Sequence, residues 1–314
     1  MRMILHAYGC IIVKGHTFKG FIMPDFWSHH YAARAANDKR LLTNPKFLNW
    51  SSDSNALYDF GAQGPDFFYY INKFNLFTKH RFSHIGNSIH EIHVKELFRE
   101  MIGTIIDEHS EEKMAYIAGF LSHYILDVYC HPLICKLGPD SNSHKRVELD
   151  LEAFCIHDYW KLEMSSFDVE ALRCDVPKLQ KGCVEVWETV LPICYNESVE
   201  KTFILQGHKD LLRLQKMLVN DTVSKLPFQT LLSKLFHYDL TMLQFPEFND
   251  ESLKKLRLYD TFKGLYSEGI EAISNALILL DRVLANEITL DQFIETTIKY
   301  DFLGEVITDV RKST

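Results

Sequence analysis

Residues 115–132 read AYIAGFLSHYILDVYCHP, an apolar helical pattern interrupted by three groups that can bind a cation. His123, Asp127 and His131 are spaced four apart, so on a helix they lie along one face. Burying such groups without partners costs about 2–7 kcal/mol for a neutral polar group and more for a charge. The stretch therefore predicts a buried helix whose polar face holds either a bound cation or a hydrogen-bonded His–Asp pair.

Composition places the chain among ordinary globular proteins. It has 314 residues, of which 46% are hydrophobic and 24% charged, enough for a sizeable core. The net charge of −8 gives no indication of nucleic acid as a structural partner. No apolar run reaches the roughly 18 residues of a membrane helix. Because His6 interrupts the short apolar stretch near the start, we predict no signal peptide.

The cysteines predict a reducing environment. There are seven, an odd number, and none form a C-x-x-C pair. Several lie in apolar stretches, which is typical of buried free thiols rather than of a disulfide framework. We therefore expect a cytoplasmic protein.

Helical periodicity dominates the chain after its first 60 residues. The segment from Phe21 to Asn55 is rich in Asn, Asp, Ser, Trp and Pro and is predicted to be a long irregular insertion, whereas residues 3–13 fit a strand or a helix. Helices are predicted over 88–108, 111–130 (with Pro132 marking the end), 143–154 (with Ser143 as cap), 184–195, 207–218, 228–235, 262–284 and from about Leu290. The fold class is all-α. We expect residues 1–160 to form a metal-binding catalytic core and residues 161–314 to continue the same domain as helices.

Two further elements offer ligands of the same kind. In GAQGPDFFYY, Gly64-Pro65 fixes a turn that aims the carboxylate of Asp66, and His144 and Glu148 are again four apart on a predicted helix. A set of imidazoles and carboxylates suits zinc, and also iron or manganese. The candidate ligands are His6, Asp66, one of His80, His84 or His90, then His123, Asp127, His131, His144 and Glu148.

Several short motifs in residues 1–160 resemble one known family. They are HAYGC, GAQGPDFFYY, GNSIHE, AGFLSHYILDVYCHP and HKRVE. Together they resemble the zinc-dependent phospholipase C family, which includes secreted bacterial phospholipases C and clostridial alpha-toxins and is related to single-strand-specific fungal nucleases. The resemblance implies a multi-helix bundle that encloses a cluster of two or three zinc ions.

The resemblance also implies how the ligands divide among the ions. One ion would take Asp66, His123, Asp127 and a further histidine. We assign that histidine to His90, which lies in GNSIHE, with His84 as the second choice. A second ion would take His131, His144 and Glu148. His6 and Asp127 would contribute to a third.

The implied reaction is hydrolysis of a phosphate ester by a metal-activated water. A bound metal lowers the pKa of water from 15.7 to about 7. Asp66 would be a ligand and also the catalytic base that orients the water. Phe67 beside it is a candidate for lining the substrate pocket, since an aromatic ring attracts a cationic head group by about 0.5–2 kcal/mol.

Other functions remain open from the sequence. The dipeptide His157-Asp158 is a weak indication of another class of metal phosphohydrolase. The same metal scaffold could carry nuclease or nucleotidase specificity instead of action on a small-molecule or lipid phosphodiester. A helical protein with purely structural metals is the alternative from a different class, because structural zinc sites are closed by four protein ligands.

Overall fold

The computed structural model describes residues 26–43, 50–72, 81–220 and 258–307. The helices in these residues are α1 (Phe26–Thr43), α2 (Asn55–Gly61), α3 (Phe67–Tyr70), α4 (Ser83–Glu91), α5 (Val94–Glu108), α6 (Glu111–Leu137), α7 (Ser141–Phe154), α8 (Val176–Leu179), α9 (Glu185–Tyr195), α10 (Lys201–Val219), α11 (Leu258–Leu284) and α12 (Leu290–Thr297). Within the described ranges, β pairing is limited to one antiparallel bridge between Tyr300 and Val306. The prediction of an all-α fold is confirmed.

Helix α6 is the centre of the bundle. It is 27 residues long and buried around most of its circumference, which is typical of a core helix. The hydroxyl of Ser110 accepts the N–H of Lys113 at its start. Helices α2 and α11 pack along it, and α1, α5 and α7 also contact it. No helix of the described ranges has the length and hydropathy needed to cross a bilayer.

The expected end of α6 is wrong. The helix passes through Pro132 and ends at Leu137. A proline inside a helix removes one main-chain hydrogen bond but does not have to terminate the helix when surrounding contacts stabilise the following turn. Here Pro132 lies against Gly304 from the far end of the chain.

The expectation of an irregular segment between Phe21 and Asn55 is wrong over the residues of α1, Phe26–Thr43. Residues 21–25 and 44–49 lie outside the described residues. Two of the residues that suggested a loop, Trp27 and Ser28, are buried inside the bundle. Arg40 is only 2% exposed and donates to both carboxylate oxygens of Asp281 on α11, at 2.7 and 2.9 Å. Since such pairing partners are remote in sequence, local composition could not reveal them.

The helix predicted over 88–108 is broken in two. Helix α4 ends at Glu91, and His93 adopts left-handed geometry with φ of 57° before α5 begins at Val94. His90 is therefore in the last turn of α4, and its side chain is buried.

The other described helices agree closely with the sequence pattern. Helix α7 begins at residue 141, slightly before the predicted start. The carboxylate that accepts an N–H of its first turn belongs to Asp140, whereas Ser143 is the predicted cap. Ser143 N–H donates to Asp140 Oδ1 and Asp140 N–H donates to Ser143 Oγ, both at 3.2 Å. Helices α9 to α12 confirm the predicted segments that they cover. Residues 3–13 and 228–235 lie outside the described residues, and the domain division at residue 160 stays a prediction.

Candidate metal centre

Seven of the predicted ligands meet in the interior of the bundle. They come from the turn before α3 and from helices α4, α6 and α7, and each is between 1 and 6% exposed. They are Asp66, His90, His123, Asp127, His131, His144 and Glu148. So many titratable groups are rarely buried together without a shared partner.

The first group lies where α4 and α6 face the turn that carries Asp66. His90 Nε2 is 3.3 Å from Asp66 Oδ1, and His123 Nε2 is 3.0 Å from Asp127 Oδ2. One ligand atom from each of Asp66, His90 and His123 lies within 4.8 Å of the others. Three atoms at that spacing can surround a single ion.

The second group joins α6 to α7. His144 Nε2 is 2.9 Å from Glu148 Oε1, and His131 Nε2 is 3.6 Å from the same oxygen. Ligand atoms of these three residues also lie within 4.8 Å of one another. The i, i+4 spacing of His144 and Glu148 thus places both side chains on the face of α7 that meets His131.

A third group contains His29, which sequence reasoning missed. His29 Nε2 lies 3.3 Å from Asp127 Oδ1, and its ring stacks on that of His123 with centroids 4.3 Å apart. The ligand atoms of His29, His123 and Asp127 are mutually within 4.8 Å. The sequence would have indicated His29 as a ligand only if α1 had been recognised as a helix, because the packing of α1 directs His29 into the core. His6, the predicted ligand for a third ion, lies outside the described residues.

Three of the histidines are oriented by main-chain carbonyls. The Nδ1–H groups of His90, His123 and His131 donate to the carbonyl oxygens of Gly86 at 2.8 Å, Ala62 at 3.2 Å and Phe302 at 2.7 Å. A carbonyl can only accept, so Nδ1 carries the hydrogen in each case. This leaves the Nε2 lone pair of the neutral imidazole available to a metal.

Several atoms that face into the centre are left without a hydrogen bond among the described residues. These buried atoms are His90 Nε2, His123 Nε2, Asp66 Oδ1, Asp127 Oδ2 and Glu148 Oε1. A buried polar group in this condition costs about 1–3 kcal/mol, and more when charged. A hydrogen-bonded His–Asp core would satisfy these atoms, whereas the observed arrangement suits a cation between them. The donor set fits zinc.

The electrostatics of the centre also suit a cation. Burial would raise the pKa of Asp127, but the charges of His123 and His131 hold it well below its usual range. Burial would likewise lower the pKa of His131, yet the neighbouring carboxylates of Asp127 and Glu148 raise it to about 10. The site therefore stabilises ionised carboxylates and positive charge side by side.

Gly64 determines how the Asp66 turn approaches α6. The 3₁₀ turn Gly64–Asp66 begins with φ of 54° at Gly64, a conformation that favours glycine. A Cβ at this position would lie 2.1 Å from His123 Cδ2. Only glycine lets this turn lie against the imidazole, so Gly64 places Asp66 and His123 in one site.

Two of the sequence candidates are located elsewhere. His84, the second choice beside His90, is exposed and pairs with Glu197 at 3.1 Å. The structure therefore favours His90. Of the dipeptide His157-Asp158, His157 is exposed and belongs to none of the three groups formed by described residues.

Phe67, the predicted pocket residue, is in the hydrophobic core. It is fully buried, and its ring packs against Phe60, Phe68 and Trp187 with centroid distances of 5.4, 4.2 and 6.1 Å. Its position following Asp66 does not expose it to a substrate, because α3 directs it away from solvent. We assign it a packing role in place of the predicted one.

A small cavity lies beside the three groups. Its volume of about 20 Å³ is enough for one water molecule. Its polar wall includes His29, Asp127, Glu148 and Glu152, and α11 contributes Phe262 and Tyr266. Glu152 also accepts the N–H of Trp27 at 2.7 Å, which fixes the first turn of α1. The cavity thus connects the residues of the second and third groups.

Comparison with protein families agrees with this geometry. A family model described as zinc dependent phospholipase C matches residues 28–196, more than half of the chain. The chain belongs to the zinc-dependent phospholipase C family. The family match begins immediately before His29 and spans the seven predicted ligands named above, whereas His6 and α11 fall outside it. Searches with the chain found no significant match among curated proteins or among solved structures.

Proposed function

We propose that this protein is a zinc-dependent hydrolase of phosphate esters, with phospholipase C-like action on a phosphodiester. The observation that carries the proposal is the set of buried Nε2 and carboxylate oxygen atoms that face one another without hydrogen bonds in the described residues. Zinc would satisfy all of them at once. Membership of the zinc-dependent phospholipase C family supports the choice of metal and the class of reaction.

Each group has a distinct part in this proposal. Zinc ions lower the pKa of a water molecule toward 7 and polarise phosphoryl oxygens. Asp66, His90 and His123 would hold one ion, and His131, His144 and Glu148 a second. Asp127, whose two oxygens face His29 and His123, would belong to both the first group and the third. The number of ions is two or three on this assignment.

Asp66 is proposed as the catalytic base as well as a ligand. Its Oδ1 faces His90 Nε2 at 3.3 Å, and its backbone is fixed by the turn that Gly64 begins. A carboxylate held in this way can orient a water molecule and accept its proton without moving. Conversion to the amide would remove the proton acceptor and would keep the size of the side chain.

The substrate class is a small-molecule or lipid phosphodiester. The family name supports a phospholipid. A negatively charged phosphate is attracted to a centre occupied by divalent cations. The proposal requires no aromatic head-group site at Phe67, because that ring is in the core.

The deciding experiment measures zinc content and hydrolysis together. Protein purified without chelator is analysed by elemental mass spectrometry and assayed with a choline phosphodiester, a 3′-nucleotide and a single-stranded oligonucleotide. We expect bound zinc and hydrolysis of the choline phosphodiester, with hydrolysis lost and zinc content lowered in Asp127→Asn, because the ligands of the second group remain. The matched control is Asp107→Asn, since Asp107 is exposed on α5.

Each contrary result has a clear meaning. Retention of zinc and activity in Asp127→Asn would refute the metal-hydrolase proposal. Hydrolysis restricted to the nucleotide or oligonucleotide would reassign the specificity. Zinc bound without any hydrolysis would identify a non-catalytic metal-binding protein.

We also propose a cytoplasmic location. The support is that the six cysteines of the described residues form no disulfide, and four of them are buried. This pattern is typical of proteins from reducing compartments. Fractionation of the native cells followed by immunoblotting tests it, and recovery outside the cytoplasm would contradict it.

A further inference from the structure

Residues 300–307, here called the Phe302 turn, lie against the metal centre although they are outside the family match. Phe302 is fully buried. Its ring centroid is 5.0 Å from that of His90 and 6.0 Å from that of His123. A segment remote in sequence therefore forms part of the wall around the candidate ligands.

The main chain of Phe302 contacts two of the ligand groups at once. Its carbonyl oxygen accepts Nδ1–H of His131 at 2.7 Å. Its N–H donates to the carbonyl oxygen of His90 at 3.2 Å. One residue thus orients an imidazole of the second group and anchors the end of the helix that carries a ligand of the first.

The Phe302 turn has its own internal support. Asp301 Oδ1 accepts the N–H groups of Leu303 and Glu305, each at 2.9 Å. The main chain adds a bond from Asp301 N–H to Glu305 O at 2.8 Å and one from Gly304 N–H to Asp301 O at 3.0 Å. These bonds fix the peptide groups that flank Phe302.

The Phe302 turn packs closely against α6 at Pro132. Gly304 has φ of 80°, and a Cβ there would lie 2.6 Å from Pro132 Cγ and 3.1 Å from Val128 O. Because Pro132 has no N–H, the Val128 carbonyl accepts no main-chain hydrogen bond from it. The Phe302 turn can therefore approach α6 closely at this carbonyl. Tyr124 adds a hydrogen bond from its hydroxyl to Tyr300 O at 2.8 Å.

We propose that the Phe302 turn is a positioning element that completes the metal centre. It directs Nε2 of His131 toward Glu148 and His144 by holding Nδ1–H, and it secures His90 through the main chain. Zinc affinity therefore depends on a segment beyond the family-matched residues. This inference rests on the proposed function, because it assumes that zinc is the occupant of the centre.

The test uses a pair of substitutions at Asp301. Asp301→Ala removes the acceptor of two turn hydrogen bonds, whereas Asp301→Asn keeps an oxygen in the same place. We expect Asp301→Ala to bind zinc about 10–100-fold more weakly, as is usual when the support of a ligand is lost. Asp301→Asn should bind close to wild type. Competition with a chromophoric chelator measures the affinities.

A second pair tests the contact with α6. Gly304→Ala should weaken zinc binding in the same direction, because its methyl group would displace the turn from Pro132. Gly264→Ala is the matched control, since a Cβ at Gly264 on α11 meets no atom of the described residues within 4 Å. Circular dichroism verifies that each variant is folded.

A readout independent of zinc uses the Nδ1 proton of His131. In imidazole proton–nitrogen NMR spectra of the wild type this proton should be protected from exchange, and it should become unprotected in Asp301→Ala. An unprotected proton in the wild type, or folded variants with unchanged affinity, would overturn the inference. A wild type that binds no zinc would instead contradict the proposed function, and the proton signal would still decide whether the turn orients His131.

Discussion

His29 on α1 and Asp127 on α6 face each other at 3.3 Å, from His29 Nε2 to Asp127 Oδ1. The other oxygen of the same carboxylate faces His123 at 3.0 Å. Asp127 therefore connects two groups of candidate ligands from two helices. The third group therefore depends on α1, which supplies His29 to the pair of His123 and Asp127 on α6.

The first prediction concerns His29→Gln, which removes the imidazole and keeps a polar side chain. We expect the variant to lose the zinc of the third group and to retain zinc in the other groups, whose ligands it leaves in place. Elemental mass spectrometry gives the zinc content. His157→Gln, at an exposed histidine, is the control. Identical zinc content in His29→Gln and wild type would mean that His29 is not a ligand.

The second prediction concerns Gly64→Ala. The added methyl group would lie 2.1 Å from His123 Cδ2, and the residue would be strained at φ of 54°. We expect a loss of about 1–3 kcal/mol in the free energy of unfolding and weaker zinc binding. Urea titration with and without zinc measures both effects.

Gly103 provides the control for Gly64, because a Cβ there meets no described atom within 4 Å. Gly103→Ala on α5 should stabilise the protein by about 0.5–1 kcal/mol. Equal stability of Gly64→Ala and wild type would show that the turn can move away from His123 at little cost.

The local part of this site could be predicted from the sequence, and the remote part could not. His123, Asp127 and His131 share a helix, so their spacing alone places them on one face. His29 is brought to Asp127 only by the packing of α1. Phe302 contacts His131 through its main-chain carbonyl, and every residue has such a carbonyl, so the amino-acid type at position 302 could not indicate this contact. Local composition likewise could not show that α1 is a helix whose Arg40 is paired inside the core.

The third prediction follows from the buried pair of Arg40 and Asp281. Arg40→Met leaves the Asp281 carboxylate in the core without its partner, so we expect a loss of about 3–5 kcal/mol in the free energy of unfolding. The double variant Arg40→Met with Asp281→Leu should recover much of that loss, since neither charge remains. Urea unfolding of the four proteins in the cycle gives the coupling energy. Additive losses would contradict a direct interaction.

The fourth prediction concerns pH and His208, a buried histidine away from the metal centre. Burial, together with the nearby charges of Arg173 and Lys209, lowers its pKa to about 4. The unfolded chain takes up a proton near pH 6.5, whereas the folded chain does so only near pH 4. The stability that depends on neutral His208 is therefore full above pH 6.5 and decreases as the pH falls toward 4.

We expect this decrease to approach about 1.4 kcal/mol per pH unit within that window. His208→Gln should remove it, because the amide does not titrate and can still accept the N–H of Cys174, which His208 Nε2 accepts at 3.2 Å. Urea unfolding of both proteins at pH 7 and pH 5 measures the difference. Since the metal centre is common to both, its own pH dependence cancels in the comparison. Parallel pH dependences would exclude His208 as the cause.

The last prediction concerns Glu152 on α7, which accepts the main-chain N–H of Trp27 at 2.7 Å. A carboxylate at this point satisfies a free N–H of the first turn of α1 and interacts favourably with the helix dipole. Since His29 lies in the same turn, Glu152→Ala should cost about 0.5–2 kcal/mol in unfolding free energy and should also weaken zinc binding in the third group. Glu152→Gln keeps an acceptor oxygen, so it should retain most of the unfolding free energy and most of the zinc affinity of the third group. If Glu152→Ala lowered stability but left zinc content and affinity unchanged, α1 would be held in place by its packing on α6 and α11, and the position of His29 would not depend on the cap.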